Sequence, residues 1–263
     1  MKIISLFLFL IFSLLQVSFA QDCYTVIKVK GDVLLEKNRS IISINDEICS
    51  GDNLIFSNED NVVVVHSTAK GRFTLKPNKR TESELIFMVN DVLKQSGNIF
   101  TRDITFSLAD EFRGVYYIIG ETRILVDTDD FPMNGDKFFY IRYFYNNDTI
   151  NAKLRFDGDT LILDKETIFR VNGVMINPDD IKSVLLYYYD STNKTSELIS
   201  EFTLRFADEE KLKEELGNYY ALLKKTNKSE YEIMNNLYSY FNDVYGRVNI
   251  ASFMKWVNEN IKN

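Results

Sequence analysis

Residues 138–145 read Phe-Phe-Tyr-Ile-Arg-Tyr-Phe-Tyr, and this aromatic stretch decides the fold. Aromatic and β-branched residues favour strands, so the stretch predicts a β-strand. The turn residues Asn146-Asn147-Asp148 follow it directly and set its end. Because neighbouring side chains of a strand point to opposite faces, at least one aromatic face must enter a core. The chain around this strand should therefore be mainly β.

Further strands are predicted on both sides of this stretch, within residues 104–206. The strongest turn signal between them is the hairpin turn Asp157-Gly158-Asp159. The other predicted strands cover residues 116–119, 123–126, 153–156, 160–163, 183–189 and 201–206. About six or seven short strands at this spacing predict a β-sandwich of immunoglobulin-like size. The Cys–Trp–Cys core signature of that fold is absent, so the strand topology stays open.

Helical signals dominate residues 207–263. Asp208 is a predicted N-cap, and Ser229-Glu-Tyr-Glu232 is a capping box that opens a second helix, which ends at Gly246. Asn249 is the predicted N-cap of a third helix. Apolar residues recur at helical spacing in all three segments. The sequence predicts a C-terminal helical bundle that either stands alone or caps the sandwich.

Short strands are also predicted in residues 21–78. The turn dipeptides Gly31-Asp32 and Gly51-Asp52 interrupt apolar runs, and Pro77 ends the set. Val62–Val65 is a continuous β-branched run, which indicates a strand buried on both faces. Strands this short, with turns this close, predict a small β-barrel or sandwich module.

A connecting helix is predicted within residues 79–103. Thr81 and Glu84 suit a capping box, and Gly97 suits the C-terminal end. Apolar residues recur there at helical spacing, at Leu85, Met88, Val89, Val92 and Leu93. The expected fold class is thus mainly β with α (α+β). Its expected order is the N-terminal β module, the connecting helix, the immunoglobulin-like β-sandwich and the C-terminal helical cap.

The N-terminal module resembles the small β domain of FecR-type envelope proteins. The resemblance rests on four short patterns within residues 24–77: Gly31-x-Val33, Gly51-Asp52-x-Leu54, Val62–Val65 and Gly71-Arg72-x-x-Leu75. It implies a non-catalytic module outside the cytoplasmic membrane that serves in protein contacts or signalling. The cytoplasmic part and the membrane helix of the FecR regulator have no counterpart in this sequence, so the resemblance implies no iron-linked signalling.

Residues 1–20 are predicted to be a secretory signal peptide. Lys2 supplies the positive start, an apolar stretch follows, and Ser18-Phe19-Ala20 provides the small residues of a cleavage site. An N-terminal membrane anchor and a lipid anchor at Cys23 are the alternatives. The protein is therefore expected to be extracytoplasmic, either periplasmic or secreted. In such an oxidising compartment Cys23 and Cys49 are expected to form a disulfide, with two free buried cysteines as the alternative.

Composition and motifs disfavour several classes of function. The chain carries a net charge of −7 and has no basic run, which argues against a nucleic-acid partner. His66 is the sole histidine and is expected to be a buried or rim residue, so the common nucleophilic triads have no support. Glycine-rich phosphate loops are absent, and the aspartates near residues 127–130 and 157–159 are expected to be solvated turns. No catalytic residue, cofactor or metal is predicted.

The candidate binding residues are the tyrosines of two predicted strands. They are Tyr140, Tyr143, Tyr145, Tyr187, Tyr188 and Tyr189. Exposed aromatic patches often mark binding surfaces, but burial of both faces between sheet and helices is the reading that the sequence favours. The leading hypothesis is a non-catalytic protein-binding or assembly component of the cell envelope or of a secretion-related complex. A carbohydrate- or cell-wall-binding module and an unrecognised hydrolase are the alternatives.

Overall fold

The structure is a computed structural model that describes residues 22–77, 85–88 and 107–262. The chain divides into two compact units, Met1–Ser96 and Gly97–Asn263. The predicted signal peptide and most of the predicted connecting helix lie outside the described residues. None of the helices in the described ranges combines the length and the hydropathy that a bilayer span requires.

Short antiparallel strands build the described part of the first unit. In chain order they are β1 (Cys23–Lys30), β2 (Val33–Leu35), β3 (Ser40–Ile41), β4 (Glu47–Cys49), β5 (Asn53–Phe56), β6 (Val62–Ser67), β7 (Gly71–Leu75) and β8 (Leu85–Met88). They form two four-stranded sheets, β4-β1-β6-β7 and β3-β2-β5-β8.

Side chains from both sheets fill one apolar core, which includes Tyr24, Val33, Ile48, Leu54, Val63, Val65, Phe73 and Leu75. Val63, Val64 and Val65 are all fully buried, because β6 is covered on both faces as its β-branched run predicts. The small β module is confirmed.

The predicted disulfide between Cys23 and Cys49 is present. The two residues lie directly opposite each other in the β1–β4 ladder, with their Cα atoms 4.0 Å apart and their sulfurs 1.98 Å apart. Beside it the carboxylate of Asp52 closes the turn after β4. It accepts hydrogen bonds from the backbone N–H of Cys49 and from Lys37 Nζ, both at 2.9 Å.

The prediction of a connecting helix is wrong at the four residues of that segment that the structure describes. Leu85–Met88 is strand β8, which pairs antiparallel with β5 in the register Asn53 to Met88 and Phe56 to Leu85. Four successive apolar residues fit a buried strand as well as a helix, so periodicity alone cannot separate the two. The ladder with β5 supplies backbone partners that the local sequence does not reveal.

The second unit holds eleven further strands within residues 107–262. They are β9 (Val115–Ile118), β10 (Glu121–Leu125), β11 (Lys137–Tyr145), β12 (Asp148–Lys153), β13 (Arg155–Asp157), β14 (Thr160–Asp164), β15 (Arg170–Val171), β16 (Val174–Met175), β17 (Val184–Asp190), β18 (Thr195–Phe206) and β19 (Arg247–Val248). Five α-helices accompany them in this range: α1 (Leu108–Glu111), α2 (Lys165–Phe169), α3 (Glu209–Lys224), α4 (Glu230–Val244) and α5 (Ile250–Asn260). A 3₁₀ turn covers Pro178–Asp180.

A six-stranded sheet, β12-β11-β17-β18-β9-β19, and a three-stranded sheet, β10-β14-β13, share one core. Fully buried residues of both sheets meet there, among them Tyr116, Ile141, Tyr143, Leu161, Leu163, Leu186 and Leu204. The predicted β-sandwich is confirmed. Its topology includes parallel pairing of β9 with both β18 and β19, whereas the other pairings in the two sheets are antiparallel.

The C-terminal helices begin where the sequence predicts. Asp208, Ser229 and Asn249 each accept a backbone N–H bond from the residue three positions on, and the Ser229–Glu232 capping box is complete. The helices cover the outer face of β9. This is seen at Tyr117, whose ring lies 5.7 Å from that of Phe241 on α4.

Gly246 allows β19 to lie beside β9. Its φ is +139°, and a Cβ atom there would stand 2.5 Å from the backbone oxygen of Val115. Only glycine tolerates both the conformation and this close approach. The sequence predicts Gly246 as the end of a helix; the structure adds this contact with the sheet.

Candidate functional site

Strand β11 has two chemically different faces. Phe139, Ile141 and Tyr143 are fully buried in the sandwich core. The alternate residues point to the opposite, outer face of the six-stranded sheet, where Phe144 is 67% exposed. The aromatic content of residues 138–145 therefore serves both the core and an outer surface.

The structure divides the six predicted tyrosines between these faces. Tyr140, Tyr187 and Tyr189 belong to the outer face, whereas Tyr143, Tyr145 and Tyr188 face or pack against the core. The first three lie together on the outer face, where Tyr187 and Tyr189 are half-buried and Tyr140 is only 7% exposed.

The core-facing tyrosines have structural partners. The hydroxyl of Tyr143 donates a hydrogen bond to the backbone oxygen of Ile168 at 2.9 Å, and burial raises the pKa of Tyr143 to about 12. The hydroxyl of Tyr188 donates to the backbone oxygen of Pro132 at 2.7 Å. These bonds tie the sheet to the segments that cover the core, so both tyrosines fix the sandwich.

The outer rings form two pairs across the β11–β17 ladder. Tyr140 and Tyr187 are stacked, with ring centroids 5.2 Å apart and planes 7° from parallel. Phe138 lies against Tyr189 with centroids 5.3 Å apart. The hydroxyl of Tyr140 contacts Ser196 Oγ on β18 at 3.2 Å. The rings are thereby held in place by their neighbours along and across the sheet.

Two cations lie over these rings. The guanidinium carbon of Arg142 is 5.0 Å from the ring centroid of Tyr187 and 5.6 Å from that of Tyr140. Lys153 on β12 places Nζ 3.8 Å from the centroid of Phe138. Both separations are within the range of cation–π attraction. A hydrogen bond of 2.8 Å from Arg142 Nε to Asn151 Oδ1 also fixes the guanidinium.

We call this region the aromatic–cationic surface. It consists of Phe138, Tyr140, Arg142, Asn151, Lys153, Tyr187, Tyr189 and Ser196, with the exposed side chains of Phe144 and Leu198 beside it. It forms a shallow, solvent-open depression of about 380 Å³. Within residues 22–77, 85–88 and 107–262, no carboxylate forms an ion pair with Arg142 or Lys153.

The sequence prediction missed the cations and Phe138. A period-two reading of β11 would have placed Phe138, Tyr140, Arg142 and Phe144 on one face. It could not have placed Lys153 beside them, because that depends on the register in which Tyr140 opposes Lys153.

A second depression of about 380 Å³ lies between β10 and the helices, and bears on the hydrolase alternative. The carboxylates that line it have local partners. Glu121 pairs with Arg123 and Arg155, both at 2.9 Å, and Glu209 accepts a 2.8 Å hydrogen bond from the indole N–H of Trp256. These contacts join strand β13 to β10 and helix α5 to helix α3.

The sole histidine lines neither of these two depressions. His66 is buried near the end of β6. In the part of the chain that the structure describes, no three side chains of His, Cys, Asp or Glu converge as a metal site would require.

No protein-family model matches this chain, and no curated protein matches it either. The likeness of residues 24–77 to the FecR-type β domain therefore stays a prediction.

Proposed function

We propose that this chain is a non-catalytic, exported protein-binding component of the cell envelope or of a secretion-related complex. In this proposal the aromatic–cationic surface is the contact with another protein. The observation that carries it is the open face of β11, β12 and β17, on which tyrosine, phenylalanine and arginine cluster.

Residue chemistry supports a protein partner. Tyrosine and arginine are enriched among the residues that dominate binding energy at protein interfaces, where they cluster in the centre of the contact. Arg142 and Tyr187 would form such a centre, with the exposed side chains of Phe144 and Leu198 at its margin. The hydrogen bond from Arg142 to Asn151 holds the guanidinium in place, and pre-organisation lowers the entropic cost of binding.

The same geometry favours protein over carbohydrate. Sugars stack on free aromatic faces, but Lys153 lies over Phe138 and Arg142 lies over the Tyr140–Tyr187 pair. Both cations would have to leave before a sugar ring could stack. A flat protein surface can instead contact the cations and the ring edges together.

Export is supported by the disulfide, because Cys23–Cys49 suits an oxidising compartment. The non-catalytic assignment is supported by the local partners of the three carboxylates in the second depression, Glu121, Glu209 and Glu259, the last of which lies 4.0 Å from Lys255 Nζ.

Site-specific photocrosslinking tests this proposal. The change Phe144→p-benzoylphenylalanine puts the photoreactive group beside the surface, and Leu125→p-benzoylphenylalanine puts it on β10 at a similarly exposed position, 77% against 67%. We expect irradiation in the native host to join position 144, but not position 125, to one discrete protein. Excess unlabelled protein should compete, and excess protein carrying Tyr187→Ala should compete poorly. The same adducts at both positions, or none at position 144, would refute the proposal.

A further inference from the structure

We propose that the aromatic–cationic surface recognises an extended acidic polypeptide segment, with Arg142 and Lys153 each binding a carboxylate and the two carboxylates two residues apart. This inference rests on the proposed function and adds the chemistry of the partner.

Arg142 has hydrogen-bonding capacity left for such a ligand. Its Nε is used by Asn151, and no hydrogen bond within the described residues uses its two terminal nitrogens. A carboxylate can accept two parallel N–H bonds from that end of a guanidinium. Because Asn151 and the rings of Tyr140 and Tyr187 fix its plane, Arg142 presents this pair of donors in a defined direction.

Lys153 offers a second cation on the same face. It lies opposite Tyr140 in the ladder, and Asn151 lies opposite Arg142, so the two cations are diagonal neighbours. Diagonal residues on adjacent antiparallel strands are about 7–8 Å apart. Alternate residues of an extended chain repeat at about 6.4–6.8 Å. The two spacings agree within the reach of the flexible side chains, so one strand-like segment with acidic residues at alternate positions can reach both cations.

The contrast between the negative net charge of the chain and these two cations also favours an acidic ligand. The whole chain carries a net charge of −7, yet neither Arg142 nor Lys153 has a carboxylate partner among the described residues. An acidic segment would be repelled by the chain as a whole and attracted here. This contrast favours one docking position and register, which is the main role of charge at interfaces. The exposed Ser196 also lines the depression that would receive the segment.

Fluorescence anisotropy with labelled peptides and the purified full chain tests the inference. The first probe alternates glutamate and valine. The second has the same composition with the glutamates in one block, and the third replaces every glutamate by glutamine. We expect the alternating peptide to bind best, the blocked peptide to bind more weakly, and the glutamine peptide not to bind. Affinity should fall as salt is raised, because exposed charges are screened.

Variants locate the contact. Arg142→Gln and Lys153→Gln should each weaken binding of the alternating peptide roughly ten- to hundredfold, the usual scale for a hydrogen bond to a charged group. The matched control is Lys213→Gln on α3, which removes one exposed cation elsewhere and should leave the affinity unchanged. Circular dichroism and the fluorescence of the sole tryptophan, Trp256, show whether each variant is folded.

The outcomes separate the inference from the proposed function. The acidic-segment inference is wrong if the glutamate and glutamine peptides bind equally well. It is also wrong if Arg142→Gln, Lys153→Gln and the control Lys213→Gln change the affinity for the alternating peptide by the same factor. Either result holds against it even if position 144 crosslinks to a partner. Equal binding of the blocked peptide overturns the two-residue spacing. Tighter binding of a carboxylated polysaccharide, such as polygalacturonate, overturns the polypeptide assignment. If no partner crosslinks at position 144 although the alternating peptide binds, the proposed function fails by itself.

Discussion

Removing the Cys23–Cys49 disulfide should destabilise the first unit by a calculable amount. The change is the double substitution Cys23→Ala with Cys49→Ala. The disulfide links residues that are 26 positions apart. In the chain-entropy model, closing a loop of that size in the unfolded state is worth about 3.5 kcal/mol. A small domain has about 5–15 kcal/mol of stability in all, so the unit should remain folded but open far more often.

Hydrogen exchange measured by mass spectrometry reads this effect by segment. A loss of about 3.5 kcal/mol corresponds to a roughly 300-fold increase in the open fraction. The most protected amides of β1 and β6 exchange only when the unit opens, so their exchange should accelerate by that factor. Peptides from β11, read in the same spectra, report whether the loss is confined to the first unit.

Chemical reduction of the disulfide gives an independent test of the same link. Reducing the unchanged protein with dithiothreitol should reproduce the acceleration in β1 and β6, because it removes the same link. If both treatments leave the most protected amides within about threefold of their original rate, the loop-entropy argument is wrong for this chain. The β1–β4 ladder and the hydrogen bonds of Asp52 would then hold the region without the covalent link.

Two further predictions concern the second unit. Tyr143→Phe removes the hydrogen bond to the buried backbone oxygen of Ile168 and should lower the free energy of unfolding by about 1–2 kcal/mol, measured by urea denaturation; an unchanged midpoint would contradict this. Asp190→Asn should destabilise at pH 7, because the bond from Lys137 and those from the following turn hold the pKa of Asp190 at about 2. The stabilisation by the charged form is present above the ordinary pKa of about 4 and is lost as pH falls towards 2, so the difference between variant and unchanged protein should shrink over that interval. The exposed Asp157→Asn is the control, and a difference between Asp190→Asn and the unchanged protein that is as large at pH 2 as at pH 7 would refute the electrostatic reasoning.

Local signals predicted much of the second unit because their physical causes are local. The N-caps Asp208, Ser229 and Asn249 satisfy backbone N–H groups within their own first turn, so a few residues suffice to locate each helix start. The hairpin at Asp157-Gly158-Asp159 is equally local, since Asp157 and Thr160 pair directly across its turn.

Long-range pairing explains what the sequence did not predict. Leu85–Met88 is a strand because β5 is available to pair with it, and nothing within the segment encodes that neighbour. The parallel pairing of β9 with β18 joins residues far apart in the chain, as in Val115 with Thr203. In both cases the pairing partner lies far away in the chain, so the local sequence cannot identify it.

The sequence also could not predict which single residues of the candidate surface are exposed. Residues 187–189 are three successive tyrosines, so composition cannot say which of them are exposed. Their roles are set by β17, which turns Tyr188 towards the core and Tyr187 and Tyr189 outwards. Prediction therefore reached the correct strands and included three outer-face tyrosines, but it could not separate them from the three that serve the core.

The aromatic rings on the outer face of the six-stranded sheet are covered in two different ways. At β9 the ring of Tyr117 is covered by α4, through contacts with Phe241 and Tyr245. At β11 and β17, Arg142 and Lys153 lie over the rings instead. A cation that lies over a ring keeps N–H donors of its own, so a carboxylate can bind Arg142 or Lys153 while both stay over the rings. The cations thus keep the rings partly covered without a partner while leaving their own donors available to one, which is why we assign the binding role to this half of the face.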